Sequence, residues 1–91
     1  MNRAELINTI AEKSSVTKKD ADSILSAALE TIVEAVSEGD KVSLVGFGNF
    51  EKRHRKARDG RNPQTGQTIK IAATDVPAFS AGKGFKEKVA A

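Results

Sequence analysis

Residues 46–66 read GFGNFEKRHRKARDGRNPQTG. Two phenylalanines, Phe47 and Phe50, stand among glycines at the start, and the basic residues that follow recur at near-alternate positions. The segment closes with residues 62–66, whose asparagine, proline and glycine content predicts a turn. Between positions 52 and 61 a single acid, Asp59, stands against six basic residues: Lys52, Arg53, Arg55, Lys56, Arg58 and Arg61. A dense cationic strand that leads to a proline corner is typical of proteins that follow a phosphate backbone and insert a side chain between bases.

The length of 91 residues predicts one domain with a small hydrophobic core. Four phenylalanines, one methionine and no tryptophan or tyrosine leave that core with few large side chains. The chain has no cysteine, so neither a disulfide nor a thiolate-bound metal can compensate. Small domains without such cross-links often complete their core with a second copy of themselves, and we therefore expect an oligomer.

Charge is distributed unevenly along the chain. Residues 1–40 carry four basic and eight acidic residues, a net charge of −4, whereas residues 41–91 carry eleven basic and four acidic ones, a net charge of +7. The formal net charge of +3 alone is compatible with an ordinary well-solvated basic protein. The concentration of positive charge in the second part instead favours a surface that binds a polyanion, nucleic acid above all.

The apolar residues of the chain are spread at short spacings and form no long run. No apolar stretch approaches the roughly 18 residues that a membrane-spanning helix needs, and no secretory signal is expected before the first helix. We therefore expect a cytoplasmic protein without a membrane partner.

The first forty residues have the pattern of a helical hairpin. Asn2 and Glu5 have the spacing of a capping box, which predicts a helix that begins there and runs to about Ser14. Thr17, with an acid three residues later, predicts the start of a second helix, and Gly39 predicts its end. Along this second helix the apolar residues recur at helical spacing and are expected to form core or subunit interface: Ala21, Ile24, Leu25, Ala28, Leu29, Ile32, Val33 and Val36.

From Lys41 the apolar period changes to two, which predicts strands. Val42 and Leu44 belong to the first of these strands. A tight glycine corner around Phe47 then leads into a second strand, which runs through Phe50 and onward.

Beyond the proline turn, residues 68–73 return as the partner strand, and residues 75–80 continue it. Pro77 predicts an edge or irregular position, because proline cannot donate a hydrogen bond to a ladder. Ser80 is expected to cap a last short helix. One face of the returning strand carries its two isoleucines, Ile69 and Ile71.

The hairpin that closes at the proline turn has no obvious apolar face, since its first strand is mostly charged. Two strands alone are marginally stable in water. We therefore expect an arm that is poorly ordered until it meets its ligand. For Arg53, Arg55, Arg58 and Arg61 to line one surface, the first strand must twist or bulge near Ala57.

Both the charges and the proline of the arm also have purely structural explanations. Basic residues can serve only to protect an edge strand from aggregation, but that purpose needs one or two charges rather than six. Pro63 by its type is most often a turn residue. Its place at the end of a cationic arm favours a wedge that unstacks bases, since basic residues beside it can supply the backbone contacts that such a wedge requires.

The sequence does not indicate an enzyme. His54, the only histidine, lies between two arginines and has no second histidine or carboxylate at ligand spacing, so neither a metal site nor a general base is expected. No cysteine nucleophile, glycine-rich phosphate loop or pair of carboxylates in a predicted cleft is present, and no cofactor is expected.

A recognisable pattern is formed by residues 46–50 (GFGNF), by the spacing of Arg55, Arg58 and Gly60, and by residues 61–65 (RNPQT). This block resembles the signature of the bacterial histone-like HU and integration host factor family. The helical hairpin before it and the tail PAFSAGKGFK after it match as well. The resemblance therefore covers essentially all 91 residues.

The resemblance implies an α+β fold in which residues 1–91 form a single DNA-binding domain. Residues 1–40 would be a helical dimerisation hairpin, and residues 41–80 a three-stranded antiparallel sheet with a long protruding β-ribbon arm at about 52–74. A short helix would follow in residues 81–91. Two such chains would form an intertwined dimer, whose implied core contains Leu29, Ile32, Val36, Leu44, Phe47, Phe50 and Phe79.

The resemblance also implies which residues contact DNA, with Pro63 as the wedge in the minor groove. The implied contacts to phosphates and groove are Arg53, Arg55, Arg58 and Arg61, with Asn62, Gln64 and Thr65 at the tip. The implied contacts to flanking phosphates, where a bent duplex meets the body, are Arg3, Lys70, Lys83 and Lys86. Family members usually carry lysine where Arg3 stands, which keeps the charge, and Asp59 weakens the basic strip locally.

The sequence therefore predicts a non-enzymatic, nucleoid-associated protein that bends and compacts double-stranded DNA with little sequence preference. Bent, nicked or junction DNA is the expected preferred target. The alternative is a sequence-specific bending factor of the integration host factor type, although such relatives tend to have longer tails. RNA is a further candidate ligand, which the lack of aromatic residues on the arm disfavours. The pattern leaves open whether the chain pairs with itself or with a paralogous subunit.

Overall fold

The computed structural model describes residues 1–91. Three α-helices and five β-strands follow one another in the order α1 (Arg3–Ser14), α2 (Lys18–Ser37), β1 (Val42–Leu44), β2 (Gly48–Arg55), β3 (Arg58–Arg61), β4 (Thr68–Ile71), β5 (Thr74–Ala81) and α3 (Lys83–Ala90). They divide into two compact units, Met1–Glu34 and Ala35–Ala91. None of the helices is both long and apolar enough to cross a lipid bilayer.

Helix α1 begins and ends as its local sequence predicts. The side-chain oxygen of Asn2 accepts a hydrogen bond from the backbone N–H of Glu5 at 2.9 Å, which satisfies one of the free donors of the first turn. The helix ends where Ser15 adopts the left-handed conformation, with φ of 55°. Within this unit Ala11 of α1 and Ala21 of α2 are buried.

Helix α2 has the predicted caps at both ends. Thr17 Oγ1 accepts the backbone N–H of Asp20 at 3.1 Å. At the other end the N–H of Gly39 donates to Val36 O at 3.0 Å, and the N–H of Asp40 donates to Ala35 O at 2.9 Å. This pair of bonds, with a left-handed glycine at φ of 90°, is a Schellman motif that satisfies the last helical carbonyls.

Strands β1, β2 and β5 form an antiparallel sheet in that order, so β2 is central. Phe50 of β2 lies opposite Val42 on one side and Phe79 on the other. Pro77 is part of β5, which pairs only with β2 and is therefore an edge strand. The edge position predicted for this proline is confirmed.

Strands β3 and β4 form a separate two-stranded ribbon, which we call the arm together with the turn that joins them. The pairing of β2 with β5 stops at Arg55 and Thr74, and the pairing of β3 with β4 begins at Arg58 and Ile71. The interruption on the first strand falls at residues 56–57, where a twist or bulge was expected. Disorder of the ligand-free arm stays a prediction, which amide hydrogen exchange would test.

Ser80 does not cap the last helix, so that prediction is wrong. Residues Ser80 and Ala81 remain in β5, paired with Asn49 and Gly48, and Gly82 is the N-cap of α3 without a side-chain hydrogen bond. The N–H of Gly82 instead donates to Phe47 O at 2.7 Å. The helix therefore starts two residues later than its serine suggested, because the strand pairing continues to the end of β5.

All four phenylalanines of the chain form one cluster beside the glycine corner. Ring centroids of Phe47 and Phe79 are 5.5 Å apart, those of Phe50 and Phe79 4.9 Å, and those of Phe47 and Phe85 5.4 Å. Gly48 allows this approach, since a methyl group there would lie 2.6 Å from the Phe79 ring and from Ser80 O. The sequence Gly-Phe-Gly thus turns the chain and makes room for the cluster.

Candidate nucleic-acid interface

Five basic residues of the arm and its base make no ion pair and no side-chain hydrogen bond within the chain: Arg55, Lys56, Arg58, Arg61 and Lys70. Each of them is exposed. Arg55 ends β2, whereas Arg58 and Arg61 are the two ends of β3. Their positive charges are therefore free to meet an external anion, which suits them to a phosphate backbone.

Lys52 and Arg53, which belong to the same basic run, are engaged within the chain. Lys52 Nζ donates to Ser37 O at 3.1 Å and lies 3.6 Å from Asp75 Oδ2. Arg53 Nη2 donates to Glu51 Oε1 at 3.2 Å and to Ser80 Oγ at 3.1 Å. Arg53 was predicted as a DNA contact, and it would have to share its guanidinium with these partners.

His54 pairs with an acid that the sequence pattern did not connect to it. Its Nδ1 lies 2.8 Å from Asp75 Oδ1, directly across the two paired strands β2 and β5. The hydrogen bond with His54 is the main reason that the pKa of Asp75 lies below its usual value, and the charge of Lys52 acts in the same direction. This pair links β2 and β5 one residue pair before their pairing ends at Arg55 and Thr74.

The register of the arm gives it two chemically different faces, since paired residues of an antiparallel ribbon project to the same side. Arg58 pairs with Ile71, and Gly60 with Ile69, and these residues form what we call the isoleucine face. Asp59 pairs with Lys70, and Arg61 with Thr68, and these form the polar face.

Arg58 and Arg61 therefore lie on opposite faces of the ribbon. Even with the interruption near Ala57, which was the expected condition for one shared arginine surface, the regular part of β3 does not place both of them on one face. The interruption at residues 56–57 changes the parity between Arg55 and Arg58, but three further positions along a regular strand reverse it again.

The tip of the arm is a turn held by four hydrogen bonds. The backbone N–H of Asn62 donates to Gln67 O and that of Gly66 to Asn62 O, each at 2.8 Å. Asn62 Oδ1 accepts the N–H of Gln64 at 2.9 Å, and Thr65 Oγ1 accepts the N–H of Gln67 at 3.3 Å. Two of the predicted contact residues, Asn62 and Thr65, thus shape the turn, and the exposed Pro63 lies between them.

The remaining predicted contacts belong to the helices α1 and α3. In the Met1–Glu34 unit, Arg3 Nη2 donates to Asp22 Oδ1 at 2.9 Å and to Ser26 Oγ at 2.7 Å. On α3, Lys83 Nζ lies 3.8 Å from Glu87 Oε1, with both side chains largely exposed. Lys86, on the same helix, is exposed and has no ion pair.

The residues predicted as dimer core differ in how far their own chain covers them. Val36 is buried, and Phe50 and Ile32 are half-buried. Phe47 and Phe79 are 45% and 43% exposed, and Leu29 and Leu44 are exposed to a similar extent. The aromatic cluster is thus formed within one chain yet covered only in part by it.

Sequence reasoning missed three features of this region. Lys56 has as few partners within the chain as Arg55, Arg58 and Arg61, and its place in the basic run was the signal for it. Ile69 and Ile71 were placed on one face of the returning strand, yet no apolar face was expected for the arm as a whole, because the first strand is mostly charged; the register brings Gly60 and not a charged residue between them. The pairing of His54 with Asp75 depends on the strand register, which no local signal fixes.

A family model described as bacterial DNA-binding protein matches residues 1–90. The DNA-binding protein HU of Nostoc sp. is 69% identical to this chain over 90 residues, which cover 99% of this chain and 96% of that protein. The DNA-binding protein HU 1 of Bacillus subtilis is 54% identical over 90 residues, which cover 99% and 98%.

Solved structures give the same result for the fold. The chain is similar to HU in an Anabaena HU–DNA cocrystal structure, with a TM-score of 0.94, 69% identity, and coverage of 99% of this chain and 98% of that one. HU from Thermotoga maritima has a TM-score of 0.70 at 40% identity, with 98% of each chain covered. With a family match over nearly its whole length and relatives more than half identical to it, the chain belongs to the bacterial DNA-binding protein family, to which HU belongs.

Proposed function

We propose that this protein is an architectural DNA-binding protein, which bends and compacts double-stranded DNA without strong sequence preference. The observation that carries the proposal is an arm whose free basic residues lead to an exposed proline on a hydrogen-bonded turn. Such cations neutralise phosphates, and such a tip is small and apolar enough to enter a base step. The similarity to HU, including an HU solved with DNA, supports the same function.

Pro63 acts as the wedge in this proposal. Unstacking a base step costs a few kcal/mol, and phosphate contacts on both sides of the kink must offset that cost. Arg58 and Arg61 project from opposite faces of the ribbon, so phosphates on both sides of the ribbon are within their reach. The four hydrogen bonds of the turn fix the backbone before DNA binds, so little ordering cost is left for the tip itself.

Sequence preference is expected to be weak, because the minor groove mainly distinguishes A·T from G·C pairs. Asn62 could read a base edge, but its carbonyl oxygen is used in the turn. Affinity then depends on phosphate contacts and on how easily the DNA deforms. Nicked, bent and four-way-junction DNA should therefore bind more tightly than straight duplex, and the bacterial nucleoid is the expected place of action.

The protein is expected to act as a dimer of identical chains. Phe47, Phe79 and Phe85 remain about two-fifths exposed although they contact one another, and Val33 of the other unit is 67% exposed. Partly covered aromatic clusters of this kind mark association surfaces. Two arms on one dimer would hold a duplex on both sides of a bend. A molar mass near the 9.7 kDa of one chain by light scattering would contradict this.

The test of the function is a mobility-shift series with straight, nicked and four-way-junction DNA, and with RNA as a competitor. Tighter binding to nicked and junction DNA than to straight duplex is the expected result. Strong preference for one sequence among random duplexes would instead indicate a site-specific bending factor. Equal competition by RNA would show that the arm does not distinguish the two nucleic acids.

The salt dependence of the affinity tests the electrostatic part of the proposal separately. If one dimer neutralises roughly eight phosphates, the logarithm of the binding constant should fall with the logarithm of salt concentration at a slope of about −7. A slope near zero would show that the free basic residues of the arm do not contact phosphates.

A further inference from the structure

Asp59 and Gly60 form the one step of the chain at which a glycine follows an aspartate, and this step lies in β3 of the arm. The other four aspartates are followed by alanine, serine, lysine or valine. Asp59 is exposed and makes no ion pair, whereas Asp22 and Asp75 are each hydrogen-bonded to a basic side chain. No such partner holds the carboxyl group of Asp59 away from the main chain that follows it.

A carboxyl group in this position can react with the next backbone nitrogen. The nitrogen of Gly60 forms a bond to Cγ of Asp59, and the carboxyl hydroxyl leaves with the amide proton as water. Glycine favours the resulting succinimide ring because it has no Cβ to crowd it. Water then adds at the main-chain carbonyl carbon of Asp59 and breaks its bond to the nitrogen, which leaves isoaspartate. One water is lost and one is regained, so the net change is an isomerisation that needs no oxidant or cofactor.

The hydrogen-bonded ladder of the arm restrains this reaction while it is closed. The N–H of Asn62 donates to Gln67 O at 2.8 Å, and hydrogen-bonded pairs alternate along an antiparallel ladder. Gly60 and Ile69 are therefore the next such pair, so the nitrogen that must attack is engaged with β4. The ladder has only two strands and four residue pairs, which is marginal stability in water. Opening of the ladder releases the nitrogen.

We propose that Asp59 and Gly60 are a site of spontaneous isomerisation, which reacts when the ladder of the arm opens and whose product disables the arm. Isoaspartate lengthens the main chain by a methylene group and leaves the negative charge in place. Gly60 and Arg61 then no longer lie opposite Ile69 and Thr68, so the turn beyond them is displaced relative to β4. The reaction is independent of the proposed function, and its effect on DNA binding rests on that function.

Endoproteinase Asp-N measures the reaction, because it cuts before aspartate and not before isoaspartate. The full chain is incubated for several weeks at neutral pH and physiological temperature, with a parallel sample in urea, and is then unfolded and digested. Asp75 is the internal control, since valine follows it and its carboxylate pairs with His54. The expected result in the folded protein is a growing loss of cutting at Asp59, with cutting at Asp75 retained. In urea the loss at Asp59 should be faster.

Three outcomes would count against the proposal. Complete cutting at Asp59 after incubation of the folded protein, or an equal loss at Asp75, would overturn the assignment of the site. A loss at Asp59 as fast in the folded protein as in urea would show that the closed ladder gives no protection. None of these outcomes involves DNA, so each of them leaves the proposed function intact.

A second measurement tests the consequence for the arm. Fresh and aged samples of the natural protein are compared with fresh and aged Asp59→Glu, which keeps the carboxylate but would have to close a larger and less favourable ring. DNA bending by the natural protein should fall with age in proportion to the isomerised fraction, whereas aged and fresh Asp59→Glu should bend DNA equally.

An equal fall in both proteins, or unchanged bending by the isomerised protein, would overturn the claim that the product disables the arm. If the fresh natural protein shifts no DNA at all, the proposed function fails, while the loss of cutting at Asp59 still tests the reaction itself.

Discussion

Lys52 Nζ lies 3.1 Å from the carbonyl oxygen of Ser37, so one cation of the basic run caps the carboxyl end of α2. Helix α2 has no basic residue in its own last turn. A cation from β2 therefore supplies the positive charge that the negative end of the helix dipole favours. Membership of a basic run in the sequence is thus not enough to assign a lysine to DNA binding.

Two lysines of this run should respond differently to the same substitution. Lys52→Met should lower the free energy of unfolding by about 0.5–1 kcal/mol, because the helix end loses its cation. Lys56→Met should leave stability nearly unchanged and reduce the magnitude of the salt slope by about 1 for each arm that contacts DNA. Denaturant unfolding and affinities measured over a range of salt give both quantities. A larger change in salt slope for Lys52→Met than for Lys56→Met would contradict the assignment.

The pair of His54 and Asp75 makes stability depend on pH in the acid range. The folded protein holds the pKa of Asp75 below its ordinary value of 3.8, so the carboxylate stabilises the fold above that value. This contribution is lost as the pH falls through the lowered pKa, in a window below 3.8.

Asp75→Asn should therefore melt slightly below the natural protein at neutral pH, and the two melting temperatures should converge in strong acid. The check is thermal unfolding of both proteins from neutral to strongly acid pH, at one protein concentration, since association of chains makes a melting temperature depend on concentration. Asp59→Asn is the control, because Asp59 makes no ion pair in the fold. A difference that persists unchanged below the window would rule out the carboxylate as its source.

Ser15 is the one residue other than glycine with a positive φ, at 55°. A side chain in this left-handed conformation costs energy that glycine avoids, so Ser15→Gly should stabilise the protein by about 0.5–1 kcal/mol. Glu12→Gly, three residues earlier within α1, should destabilise it by roughly 0.5–1 kcal/mol because glycine is unfavourable inside a helix. Denaturant midpoints of the two variants should move in opposite directions. Parallel shifts would show that the conformation of Ser15 carries no strain.

Pro63→Ala should reduce DNA bending more than it reduces affinity for nicked DNA. The turn keeps the hydrogen bonds of Asn62 and Thr65, so the arm should still form. What is lost is the rigid apolar wedge, whose work a nick already does in part. Energy transfer between dyes at the two duplex ends measures the bend, and titration measures the affinity. Equal losses on straight and nicked duplex would identify the proline as a turn residue only.

The boundaries of α1 and α2 were determined by the sequence itself, whereas the start of α3 was decided by the pairing of β5 with β2. Asn2 accepts a hydrogen bond from the N–H of Glu5, and Thr17 accepts one from the N–H of Asp20. At the end of α2, the N–H of Gly39 donates to the carbonyl oxygen of Val36, three residues earlier. Short-range bonds of this kind depend on spacing along the chain, which can be read directly. The edge position of Pro77 follows from its missing N–H donor, and a twist or bulge near residues 56–57 was expected from the alternation of side chains along a strand.

Only the tertiary structure decided which basic residues remain free and which face of the arm each one occupies. Lys52 is engaged by the carbonyl oxygen of Ser37, 15 residues earlier in the chain, and Arg53 shares its guanidinium with Ser80, 27 residues later. The register of β3 with β4 separates Arg58 from Arg61 and gathers Ile69 and Ile71 around Gly60. A shift of one residue in that register would move every side chain to the other face. Such contacts join distant segments, and no local pattern in the sequence determines them.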